Sequence, residues 1–314
     1  MKLEYECVYS IPNYCTTHWV PPPMNVELHT PAKAETFAAL FQHIKLFTEH
    51  INILFQIDKM FVQGMDSSRV SIFEINLPAA WFDKYELTQD CDVTIGINVN
   101  IFSKVLATRD KSQIVRLQLQ NLGDDKLFVD YVLPPTTAIA EPAAAAAACA
   151  KKKTAASYDK SFEVPLLEIE SDMLMIPPME SQAEFSVPSV KFATIVDQLK
   201  LFGDTIDLEC SETAIQLSAK SLDHGKMSVE IPIDDLHSFS INEGESLTLS
   251  YSLAHLHNIC LYSKIAPEIT IYASSDFPIK MVFSLSSSVD VVVSAEARTE
   301  AQIVFYLAPK MSDE

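Results

Sequence analysis

The sequence predicts an α+β protein of two similar domains, each a sheet-rich body carrying two helices on one face. Three observations lead there. The chain repeats itself: the run TFAALFQHIKLFTEHINILFQIDKMFVQGMD, starting at Thr36, aligns without a gap with KFATIVDQLKLFGDTIDLECSETAIQLSAKSLD, starting at Lys191. Phe37 falls on Phe192, Ala38 on Ala193, Lys45 on Lys200, Leu46 on Leu201, Phe47 on Phe202 and Ile51 on Ile206. Matches that share one amphipathic pattern point to a duplicated supersecondary unit. Each copy then passes from helical to alternating periodicity, and 314 residues at 48% hydrophobic composition suffice for two substantial cores.

Phe37, Leu40, Phe41, Ile44 and Phe47 recur at helical spacing in the first copy, as do Phe192, Ile195, Val196, Leu199 and Phe202 in the second, so each helix buries one stripe. The opposite arc holds Glu35, Ala39, Gln42 and Glu49 in one copy and Thr194, Asp197 and Gln198 in the other, with Lys45 and Lys200 flanking it. Alternating residues predict strands over 51–58 and 70–77 after the first helix, and over 205–211 and 214–219 after the second. Each half supplies a second helix, 98–108 and 253–264. Strands over 114–120 and 126–133 finish the first half; 269–273, 279–285, 289–295 and 303–307 finish the second.

Between the halves, residues 134–162 change character, with paired prolines, an alanine run over 143–148 and the triplet Lys151-Lys152-Lys153. This composition offers little to bury and reads as a mobile, solvated insertion. The expected organisation is an N-terminal extension over 1–24, with Trp19 before three prolines, a first domain over 25–133, the insertion and a connector over 134–184, and a second domain over 185–314.

Several function classes are disfavoured. Six cysteines without a CxxC pair fit reduced thiols better than a disulfide framework or a zinc site. Six glycines form neither GxGxxG nor GxxxxGK, which removes the sequence basis for a phosphate-cradling loop. His255 and His257, two apart on a predicted helix, should point in different directions, whereas helical metal pairs sit at i and i+4. Asp124-Asp125 and Asp234-Asp235 read as solvated turns, and no Ser-His-Asp arrangement can be argued from order alone. No catalytic residue, metal site or cofactor is expected. Lys2, Glu4 and Glu6 interrupt any signal-like start, and no uncharged apolar run approaches the roughly 20 residues of a membrane helix; an intracellular protein with no membrane partner is expected. The net charge of −19 argues against a uniformly exposed nucleic-acid surface, because phosphate affinity comes from Lys and Arg. The objection weakens if the bases are gathered on one face.

Two separated segments carry a resemblance. Gly64-Met65-Asp66-Ser67-Ser68-Arg69-Val70-Ser71, read with the terminal Phe305-Tyr306-Leu307-Ala308-Pro309-Lys310, resembles the eukaryotic-type DNA sliding clamps of the proliferating cell nuclear antigen (PCNA) family. The likeness extends through Phe82-Asp83-Lys84-Tyr85, Gly96-Ile97-Asn98 and Phe192-Ala193, over roughly 25–133 and 163–311, and 163–178 is similar to the family's interdomain connector. It implies the DNA clamp (processivity) fold, with two helices per domain packed on a curved antiparallel sheet, and a homotrimer forming a pseudo-sixfold ring around duplex DNA without sequence preference. It implies a processivity factor in DNA replication and repair that tethers DNA polymerase, clamp loader, nuclease and ligase through PCNA-interacting peptides. The expected setting is the nucleus, or a cytoplasmic replication factory if the chain is from a large DNA virus. A subunit of a heterotrimeric checkpoint-type clamp and a monomeric DNA-binding processivity subunit are the alternatives.

The resemblance also assigns residues. Lys45, Lys104, Arg109, Lys191, Lys200 and Lys264, on or near the helices, are the expected phosphate contacts. Ala38, Ala39 and Ala107 stand where relatives commonly have lysine and Asp197 replaces a common basic residue, so the lining should be less basic than usual. Ring closure is expected from two edge strands, one carrying Lys126, Phe128, Asp130 and Val132, the other Met227, Val229 and Ile231, because an unpaired edge accepts another chain's strand. Pro232 suits an edge. Partner peptides are expected between Met65, Arg69 and Val70, the connector residues Leu174, Ile176 and Pro177, and Pro278, Tyr306, Ala308 and Pro309; Arg69 stands where many relatives have histidine.

Overall fold

Residues 23–88, 92–121, 123–134, 158–170, 173–242, 244, 246–285 and 300–310 are described by the structure, a computed structural model. The N-terminal extension up to residue 22, the insertion over 135–157 and the expected strand over 289–295 lie outside the described residues.

The first unit runs β1 (Met24–Leu28), α1 (Pro31–Ile44), β2 (His50–Phe55), β3 (Lys59–Met65), β4 (Ser71–Pro78), β5 (Lys84–Leu87), β6 (Val93–Asn98), α2 (Val99–Ala107), β7 (Ile114–Leu119), β8 (Lys126–Val132) and β9 (Lys160–Pro165). The second repeats that order: β10 (Ala183–Pro188), α3 (Ser189–Leu199), β11 (Thr205–Cys210), β12 (Ala214–Ser221), β13 (Gly225–Pro232), β14 (Ser238–Ile241), β15 (Leu247–Ser252), α4 (Leu253–Cys260), β16 (Glu268–Ala273), β17 (Ile279–Ser284) and β18 (Gln302–Leu307). The duplication read from one helix and its strands therefore covers two helices and nine strands per unit.

Local chemistry sets the helix starts. Pro31 pre-sets the backbone of the first helical turn, and the Asp83 carboxylate accepts the His29 and Thr30 amides just ahead of it at 2.6 and 2.8 Å. Asn98 caps α2 by accepting the Ile101 amide at 3.1 Å. Phe47 and Phe202, expected on the helical stripes, lie just past α1 and α3; their amides donate back to Ile44 and Leu199 as the chain turns toward the next strand. The α4 helix stops at Cys260, and Leu261–Lys264 continues as a tighter 3-10 turn.

Among the described residues all strand pairs are antiparallel and form three sheets, in the orders β5-β1-β7-β8-β9, β13-β12-β11-β15 and β14-β10-β16-β17-β18-β4-β3-β2-β6. The nine-stranded sheet joins the two units through β18 and β4, where Phe305 lies opposite Phe73 and Tyr306 opposite Ile72. Phe47, Phe73, Tyr262 and Phe305 stack over this seam, with Phe305 5.1 Å from Tyr262 and 5.4 Å from Phe47 between ring centroids. Buried rings in tilted contact add geometric preference to their large apolar area, so the two units meet through a true core.

One expectation is overturned here. Lys126, Phe128, Asp130 and Val132 do not lie on an edge strand, because β8 is paired on both sides, with β7 and with β9. Among the described residues the sheet ends at β9, whose register sets Phe162 opposite Val129 and Glu163 opposite Phe128. The low-complexity run is thus an insertion within the β8–β9 hairpin, and the first unit's sheet extends to Pro165, beyond the expected boundary at 133. Among the described residues the other expected edge strand, β13, pairs only with β12; it carries Met227, Val229, Ile231 and Pro232.

Candidate functional site

Two surfaces concentrate the expected functional residues. The first is the helix layer. Here α1 packs on α2 and α3 on α4, and the 3-10 turn after α4 reaches back to α1 across the seam. The lysine side chains stand away from the sheets: Lys45 and Lys200 are the exposed C-caps of α1 and α3, at duplicated positions, while Lys104, Lys191 and Lys264 are also exposed. A cation at a helix C-terminus is favoured by the helix dipole.

Not every charge on this layer is free for a ligand. The Arg109 guanidinium donates through Nη1 to the carbonyls of Asp110, Lys111 and Gln113 at 3.1–3.3 Å, so it braces its own loop. Asp197 on α3 pairs with His257 on α4 at 2.7 Å, and Glu35 with Lys111 at 3.7 Å. His43, in the last turn of α1, packs edge-on against Tyr262 at 5.2 Å; burial, with Lys264 and Lys45 nearby, holds its imidazole below the usual range. It therefore adds no charge at neutral pH, and the lysines supply the positive potential. His255 and His257 do diverge, the former turning to the loop after β3 and the latter to Asp197.

The second surface is the sheet face opposite the helices. On β2, β3 and β4 the helix-facing residues are buried, whereas Leu54, Phe61, Met65 and Ile72 are only partly covered. The connector lies across this face. Leu167 bridges Gly96 on β6, the Asn52 side chain donates to the Ile169 carbonyl at 3.0 Å, and Gln63 both donates to and accepts from the Leu174 backbone, at 2.9 and 2.8 Å. Beside it runs a groove of about 340 Å³ whose walls include Leu54, Phe61, Gln63, Met65, Met173 and Leu174.

Gly96 makes the crossing possible, because a Cβ there would stand 2.2 Å from the Leu167 carbonyl oxygen. Gly96→Val is expected to lift the connector from β6, seen as faster amide exchange at Leu167 in the intact protein.

The expected docking residues are partly brought together. Met65 lies opposite Ile72, which lies opposite Tyr306, forming one row across β3, β4 and β18. The Ala308 amide donates to the Val70 carbonyl at 3.0 Å, tying the C-terminal segment to the loop after β3. Met65 and Leu174 also line the groove, whereas Ile176, Pro177, Pro278 and Pro309 do not. Arg69 is exposed on the loop. Sequence reading missed Ile72, although strand alternation two residues after Val70 was the available signal; it also missed Leu54 and Phe61, whose role depends on where the connector crosses.

Comparison with known proteins decides what these surfaces belong to. Residues 29–133 match the family described as Proliferating cell nuclear antigen, N-terminal domain, and residues 175–309 match its C-terminal domain. The chain belongs to the proliferating cell nuclear antigen family. A curated relative, Proliferating cell nuclear antigen of Chaetomium thermophilum, is 24% identical over 260 residues, covering 81% of this chain and 86% of that protein. The crystal structure of Proliferating Cellular Nuclear Antigen from Entamoeba histolytica superposes with a TM-score of 0.72 at 20% identity, over 92% of this chain and all of the other. PCNA proteins are DNA sliding clamps, non-enzymatic processivity factors of replication and repair, and this chain has the two-unit architecture from which such rings are built.

Proposed function

We propose that three copies of this PCNA-family chain close into a ring around duplex DNA in the nucleus, with the helix layer lining the hole and partner peptides docking on the outer face. The observation that carries the ring is the internal seam. By the order of elements, β18 of the second unit corresponds to β9 of the first, and β4 corresponds to β13. The chain joins its own units through β18 and β4, and the corresponding strands β9 and β13 are both edges among the described residues. The same pairing made between chains is head-to-tail, and such pairing gives a ring when the rotation closes.

The duplication also transfers the register. Phe305 opposite Phe73 inside the chain corresponds to Phe162 opposite Met227 of the neighbouring subunit, and Tyr306 opposite Ile72 corresponds to Glu163 opposite Lys226. Phe162 and Met227 are half-buried apolar residues on the core side of their strands, while Glu163 and Lys226 are exposed with opposite charges. Opposed cross-strand charges are favourable. Glu163→Lys is therefore expected to weaken assembly, and adding Lys226→Glu to restore it, read as subunit dissociation on dilution.

For DNA, Lys45, Lys104, Lys191, Lys200 and Lys264 are the proposed phosphate contacts. Direct contact is weak by this count, and the topological hold supplies retention. Lys45→Glu with Lys200→Glu is expected to reduce loading and processive synthesis. The test of the function is retention: a loaded wild-type ring should outlast on closed circular DNA what it shows on linear DNA with free ends, and raised salt should act mainly on the direct contacts. Equal retention on both templates would count against a sliding ring. For partners, the row Met65, Ile72 and Tyr306, with Val70, Ile176 and Ala308, suits the aliphatic and aromatic anchors of PCNA-interacting peptides from polymerase, clamp loader, nuclease or ligase.

A further inference from the structure

We infer that His255, on the second unit's helix α4, is the positioning residue that holds the first unit's docking loop, residues 66–71, in its binding shape. The inference rests on the docking reading above. Within the loop, the Asp66 carboxylate accepts the amides of Ser68 at 3.1 Å, Val70 at 2.9 Å and Ser71 at 2.5 Å. Burial works against this charge, but the bonds from Ser68 and the loop amides hold its carboxyl below the usual range. Arg69 has φ of 59°, the only positive value among the described non-glycine residues. L residues seldom adopt that backbone, and it persists where surrounding contacts over-determine it.

Besides the C-terminal segment, which holds Val70 and Ser71 through backbone pairing, His255 contacts the loop through a side chain. The Ser68 hydroxyl donates its one proton to Asp66, which leaves its oxygen as an acceptor. His255 Nε2, 3.0 Å from that oxygen, is therefore the donor, and in the neutral ring Nδ1 is left to accept from the Ser252 hydroxyl at 2.9 Å. Ser252 is the residue before α4, so the ring is fixed at both nitrogens, one to its own helix start and one to the other unit's loop. Nε2 also lies 3.5 Å from Asp66 Oδ2. Because Val70 in the same loop receives the Ala308 amide, a loop released from His255 would loosen two walls of the docking surface together.

The test titrates a fluorescein-labelled peptide carrying aliphatic and aromatic anchors against wild type, His255→Ala and His255→Gln, with hydrogen exchange followed in the same proteins. His255→Ala should weaken the peptide about three- to tenfold, the scale of one side-chain hydrogen bond. It should speed exchange at the Val70 and Ser71 amides while leaving the assembled mass unchanged. His255→Gln, whose amide also donates, should recover most of both. Wild-type affinity and exchange in His255→Ala would overturn the inference, as would a glutamine variant no better than alanine. A wild type that binds no peptide would defeat the docking reading, and the exchange arm would still decide the clasp.

Discussion

Met227→Asp is expected to turn the ring into folded monomers. Met227 is half-covered on β13, with no strand beyond it among the described residues. Across the proposed seam it faces Phe162, whose own ring packs 5.5 Å from Tyr131. A carboxylate placed there meets water in the monomer but would be buried without a partner in the ring. Burying an unpaired charge costs several kcal/mol, more than an edge contact returns. Light scattering should show loss of the assembled species, and an unchanged circular dichroism spectrum should show that the units remain folded. A variant that assembles like wild type would exclude this register.

Ile176→Ala with Tyr306→Ala is expected to weaken a polymerase-derived peptide at least tenfold while leaving the ring intact. Tyr306 projects from β18 between Lys280 and Ile72, on the face away from the helices. Its hydroxyl reaches Glu74 at 3.4 Å, and partial burial with that carboxylate beside it pushes its pKa up to about 12, so the phenol stays neutral and apolar in character throughout the physiological range. Ile176 is half-covered on the connector. Truncation of hot-spot anchors costs about 2 kcal/mol or more each, and tenfold corresponds to about 1.4 kcal/mol. Neither residue lies on β9 or β13. Calorimetry on the intact assembly decides it, and unchanged affinity would place docking elsewhere.

The parts of this account that were legible in the sequence are those governed by local periodicity. The stripes of α1 and α3, their equivalent lysines and most of the strands that follow could be read because burial on one face leaves a spacing signal. The β9 strand was not read at all, its residues being divided between the insertion and the connector. Its alternating Ser161, Phe162, Glu163 and Val164 are ordinary strand residues, but the alanine and lysine run ahead of them hid the hairpin partner, and β8 took its place. The groove along the connector was illegible for a different reason: Leu54, Phe61 and Met173 become one surface only through bonds such as Asn52 to Ile169, between residues far apart in sequence. The clasp between Ser68 and His255 likewise joins the two units and leaves no spacing to detect. The bonds of the Arg109 guanidinium to the carbonyls of its own loop were equally illegible, because they depend on how the chain turns after α2.

The mass of the wild-type protein in solution tests the central claim most directly, because encirclement, the β9–β13 seam and the lysine-lined hole all require a closed ring. Light scattering at micromolar concentration should return three times the 35.0 kDa chain. A single 35.0 kDa species at that concentration would contradict the homotrimeric ring.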